Sequence, residues 1–82
     1  MLYGYQAREP QHRGPIVLRE ASLSISADDL EVIAAFLAAA AAEIRAGTLR
    51  AGGHSHLQDE VPGWSDRHEF DIIVIAPQPA NP

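Results

Sequence analysis

The chain has no cysteine and no lysine among its 82 residues. Without cysteine there is no disulfide, no thiolate metal site and no thiol nucleophile. That fits a reducing compartment, where disulfides do not persist. Without lysine, six arginines are the only fixed cations, and eleven acidic residues oppose them for a net charge of −5. A broad nucleic-acid surface needs the opposite balance, so nucleic acid is not an expected partner. Long apolar runs are missing too. The longest uncharged one, Val32 to Ala42, falls far short of the ~20 residues that cross a bilayer. Met1-Leu2-Tyr3-Gly4-Tyr5 lacks the basic start and apolar stretch of a secretory signal. The expectation is a soluble cytoplasmic protein with no membrane partner.

What is present is a globular composition, 46% hydrophobic and 21% charged. At this length the chain suffices for one small domain, which buries only about 60% of its unfolded surface and so has a thin stability margin. The acidity is uneven. From His54 to Asp71 there are five carboxylates (Asp59, Glu60, Asp66, Glu69, Asp71) and only Arg67 to offset them.

Leu2 to Gln6 reads as a short edge strand, and Arg8 to Pro15, with its prolines and glycine, as a loop. Ile16 to Ile25 alternates, with Val17, Ala21, Leu23 and Ile25 on one side and Ser22 and Ser24 on the other, which predicts a half-buried strand. Ser26 is a suitable helix N-cap, Asp28, Asp29 and Glu31 favour the positive end of the helix dipole, and Gly47 suits the C-terminal cap. Between them Leu30, Ile33, Leu37, Ala40 and Ile44 form the stripe of an amphipathic helix. A second apolar side, Val32, Phe36 and Ala39, needs its own cover. Either another segment of the chain folds over it or it forms a homodimer contact.

After Gly52-Gly53, His54 to Gln58 predicts a short strand, Val61-Pro62-Gly63-Trp64 a type II turn, and Phe70 to Ala76 a central strand apolar on both faces. Pro77, Pro79 and Pro82 stop ladder pairing, leaving residues 78–82 as a flexible tail on a single domain of residues 1–77. The predicted fold is α+β, ordered β-β-α-β-β, a small mainly antiparallel sheet with one long helix packed on one face.

Little in the chain points to catalysis. His54 and His56, two apart on a strand, face the same way and with Asp59 make a three-ligand metal candidate. Solvent-facing strand residues are the plainer reading of that pair, and no cofactor is expected. His12 and His68 lie in predicted loops. Ser55, His56 and Asp59 have the residue types of a triad but no nucleophile elbow, and no glycine spacing matches a phosphate loop. Asp71, entering the apolar strand, should cap a turn or pair with an arginine. Trp64 either closes one end of the core or anchors an interface. An acidic loop with one tryptophan and two histidines is built more like a protein-binding surface than a substrate pocket.

Gly53-His54-Ser55-His56-Leu57-Gln58-Asp59, then Pro62-Gly63-Trp64, then Asp71-Ile72-Ile73-Val74, following a strand and an alanine-rich helix, resembles the immunity protein 32 family of bacterial polymorphic toxin systems. The likeness spans roughly Leu18 to Pro77, with Gly53, His54, His56, Leu57, Asp59, Trp64 and Asp71 as matched positions. It implies a non-catalytic protein that neutralises a cognate toxin. Toxins acting on nucleic acid are typically basic, so His54, His56, Asp59, Glu60, Trp64, Asp66 and Asp71 are the expected partner-binding residues. The alternatives are a small metal-binding or metal-dependent hydrolytic domain using His54, His56 and Asp59, and a structural homodimerisation module using Val32, Phe36 and Ala39.

Overall fold

A computed structural model describes residues 1–5 and 14–78. Most of the loop predicted between residues 8 and 15, His12 included, and most of the proline-rich tail lie outside the described residues.

The elements follow the order β1 (Tyr3–Gly4), β2 (Ile16–Val17), α1 (Ala27–Ala46), β3 (His54–His56), α2 (Leu57–Glu60), α3 (Trp64–Arg67) and β4 (Ile73–Ile75). This is the predicted α+β order with two short helices inserted before the last strand. The strands form two separate two-stranded antiparallel sheets, β1-β2 and β3-β4, in place of one continuous sheet. In the first, Tyr3 opposes Val17 and Gly4 opposes Ile16, and Leu18 N donates to Leu2 O at 2.8 Å. The strand expected over Ile16 to Ile25 therefore ends early. Its alternating side chains do not meet the core, since Leu23 is exposed, and only Ile25 packs against it.

Helix α1 forms where its caps say it should. Ser26 is extended (φ −69°, ψ 159°) and its hydroxyl accepts from Asp29 N at 3.1 Å. At the other end Gly47 adopts φ 79°, with Gly47 N donating to Ile44 O and Thr48 N to Glu43 O, the paired bonds of a Schellman motif. The buried line of the helix is Ile33, Phe36 and Ala40. It runs between the two predicted stripes. Leu30 and Leu37 are left 51% and 45% exposed, while Phe36, expected on a second and separately covered side, belongs to the chain's own core. Val32 is half-buried beside it and Ala39 is exposed.

The cover for α1 comes from the hairpin β3-β4 and from the long connection between its strands. His54 opposes Ile75, Ser55 opposes Val74 and His56 opposes Ile73. Bonds from Gly52 N to Ala76 O, Ala76 N to Gly53 O and Leu57 N to Ile72 O, each 2.9 Å, extend the ladder at both ends. Gly53 has no room for a side chain, since a Cβ would lie 2.8 Å from the Arg50 carbonyl oxygen. The expectation of a central strand over Phe70 to Ala76 fails, because among the described residues β4 pairs only with β3. Its inner residue Val74 packs on the core, while Ile73 and Ile75 are 43% and 37% exposed on the outer face.

Within the connection, Val61-Pro62-Gly63-Trp64 is the predicted turn. Trp64 N donates to Val61 O at 3.1 Å, and Gly63 at φ 83°, ψ −1° has the third-position geometry of type II. The turn delivers Trp64 into the core, where it is 0% exposed and joins Ile33, Phe36 and Leu57. Its indole Nε1–H donates to Phe70 O at 3.0 Å, and the Phe70 ring meets it edge-on with centroids 5.6 Å apart.

Two substitutions test this account. Trp64→Ala should cost about 3–5 kcal/mol and leave so small a domain largely unfolded by circular dichroism. Ser26→Ala should cost about 1 kcal/mol, lowering the thermal midpoint by about 4–8 °C with the fold retained. An unchanged midpoint in either variant would contradict the assignment.

Candidate functional site

Two carboxylate–histidine clasps hold the β3-β4 connection in place. In the first, Asp71 takes His56 Nδ1 on Oδ2 at 3.0 Å, and its Oδ1 accepts from Gln58 N and Ile72 N, both at 2.9 Å. Asp71 thus caps a turn, as expected, but its side-chain partner is a histidine instead of an arginine. It ties the start of α2 to the chain entering β4. In the second clasp Asp29, on the first turn of α1, meets Arg67 Nη1 at 3.0 Å through Oδ1 and His68 Nε2 at 2.9 Å through Oδ2. His68 also lies on Trp64, with ring centroids 4.2 Å apart, and the Arg67 guanidinium sits 5.7 Å from the centre of the same ring.

The second clasp was legible in the sequence only as separate parts. Asp29 reads as a carboxylate at a helix N-terminus, and Arg67 as the lone cation of an acidic segment. The hydrogen bond from His68, aided by the charge of Arg67, holds the Asp29 carboxyl below its ordinary value of 3.8. An ionised carboxylate only accepts, so in both clasps the bonded histidine nitrogen carries the proton.

Of the residues expected to bind a partner, His54, Asp59, Glu60 and Asp66 are exposed, as is Glu69. His56 and Asp71 are engaged with each other. Trp64 offers no surface: fully buried, it takes the core role and supports the exposed residues from below. Ser55 is 8% exposed and faces inward, opposite to His54 and His56, so the serine and its neighbouring histidine share no site. Among the described residues, no three or more His, Asp or Glu side chains gather into a metal-binding group, so His54, His56 and Asp59 do not converge as a set.

A shallow groove of about 350 Å³ runs beside α2. Val32, Ala35, Phe36, Ala39 and Val61 form its apolar floor, and Glu43 and Glu60 stand among its lining residues. No helix among the described residues is long and apolar enough to cross a membrane. Comparison with family models, with curated proteins and with solved structures finds no match to this chain. The likeness to the immunity protein 32 family therefore rests on residues 53–59, 62–64 and 71–74 alone.

The Asp29 clasp predicts a pH signature. A carboxyl whose pKa is lowered by folding stabilises the fold above its unfolded value, and that contribution disappears as pH falls through the folded value. Asp29→Asn should be less stable than the parent at neutral pH, and the gap between their thermal midpoints should narrow as pH falls below the ordinary aspartate value of 3.8. A gap independent of pH would show that the charge on Asp29 contributes nothing.

Proposed function

We propose that this protein is a non-catalytic binding protein of the cytoplasm that neutralises a basic protein toxin, as its resemblance to the immunity protein 32 family implies. The observation that carries the reading is the exposure of Asp59, Glu60, Asp66 and Glu69 along one connection whose only arginine is drawn off to Asp29. Exposed carboxylates with no ion-pair partner among the described residues attract a basic surface over several ångströms and raise the rate of encounter.

A tight interface also needs an apolar centre inside a polar rim. The groove beside α2 supplies one. Its floor of Val32, Ala35, Phe36 and Ala39 lies next to Glu43 and Glu60, so an arginine or lysine could lay its stem on the alanines and its charge against the carboxylates. The two clasps and Trp64 contribute rigidity, which lowers the ordering cost on binding.

A second reading, a homodimer, draws on Leu30 and Leu37, which lie on one face of α1 and are 51% and 45% exposed. Light scattering distinguishes it by mass.

Affinity capture from the native host, with identification of what co-purifies, tests the main reading. The expected outcome is a basic protein encoded nearby whose toxicity this chain suppresses. Replacing Asp59, Glu60 and Asp66 together with lysine should then slow association by about tenfold or more at low salt, and the difference should shrink as salt is added. Full protection by that triple variant would rule out the acidic surface.

A further inference from the structure

The outer face of the β3-β4 hairpin carries His54, His56, Ile73 and Ile75, since residues two apart on β3 and their opposite numbers on β4 share one side of a ladder. The two imidazole centroids are 6.0 Å apart. Two imidazoles bound to one ion at about 2.0–2.1 Å, near the tetrahedral angle, place their ring centres roughly 5 Å apart. Closing that difference takes a small rotation of His54, which is exposed and has no hydrogen-bond partner among the described residues.

His56 is the better prepared of the pair. Asp71 holds its Nδ1–H, which fixes the ring tautomer and leaves Nε2 as an unshared lone pair. Asp71 is itself immobilised by Gln58 N and Ile72 N. A carboxylate behind a histidine, on the nitrogen away from the ligand, is the arrangement that orients metal-binding imidazoles and raises their basicity. Asp71 plays this outer part, and Asp59, the third ligand suggested by the sequence, plays none.

The geometry points to a two-histidine site for a first-row divalent transition-metal ion, bound by His54 and by His56 Nε2, with Asp71 orienting His56 and water filling the remaining positions. Imidazole ligands select zinc, nickel or copper over magnesium and calcium. The site does not rest on the toxin-binding proposal, because it uses none of Asp59, Glu60, Asp66 and Glu69, the exposed carboxylates that carry that reading.

The test uses the full, untagged chain. Calorimetric titration with nickel chloride, and separately with zinc chloride, should show one saturable site that an excess of magnesium does not displace. His54→Ala and His56→Ala should each weaken binding at least tenfold, and His12→Ala should leave it unchanged. Asp71→Asn should weaken it by about 10- to 100-fold. Should that variant fail to fold, nickel-induced broadening of amide resonances in the parent protein locates the site independently, and it should centre on residues 54–56 and 73–75. A titration without saturation below about 100 μM, about 5.5 kcal/mol, would overturn the proposal. So would binding that survives both histidine substitutions, or broadening centred elsewhere.

Discussion

The burial of Trp64 beneath the long connection between β3 and β4 is the constraint on which the described structure turns. A two-stranded hairpin alone is marginal in water, and a single amphipathic helix has nothing to pack against. The indole supplies the shared filling. It touches the helix through the cluster with Ile33 and Phe36, and it closes its own loop by donating to Phe70 O. Gly63 makes this placement possible, because the turn that aims Trp64 inward needs a residue at φ 83°. Leu57 and Trp64, one at the start of each short helix, are the fully buried pair that turns an acidic loop into a structured layer.

Polar contacts finish what the apolar core begins. Asp71 joins the two ends of the connection by accepting from Gln58 N and Ile72 N while engaging His56. Asp29 ties the end of α3 to the start of α1 through Arg67 and His68. Both carboxylates sit where their charge is met by donors, which keeps part-buried ions from costing stability. The local result is a sorting of charge. Asp29 and Asp71 act inside the fold, while Asp59, Glu60, Asp66 and Glu69 are exposed and, among the described residues, unpaired.

That sorting connects the fold to the two proposals. The free carboxylates, next to an alanine-floored groove, suit a basic protein partner. The histidines face the other way, on a strand whose inward residue is Ser55, and one of them is already oriented by Asp71. Alternation along β3 sets the histidines on the face opposite Ser55, which lines the groove.

Local chemistry alone determined several elements here. Ser26 and Gly47 bounded the long helix, because capping depends only on neighbouring backbone groups. Pro62-Gly63 made the turn for the same reason, and the α+β order followed from hydrophobic periods. The excess of acid between His54 and Asp71 was likewise visible without coordinates. Tertiary structure decided the rest. Which line of α1 faces inward depended on what arrived to cover it, so Phe36 went to the core and Leu37 did not. Whether Ile73 and Ile75 lay in a central strand or an outer one depended on how many strands were there to pair. The partners of Asp29 stand 38 and 39 residues away in sequence, and no local signal encodes that distance. The choice between lid and anchor for Trp64 was settled by packing, since one side chain cannot fill the core and face a partner at once.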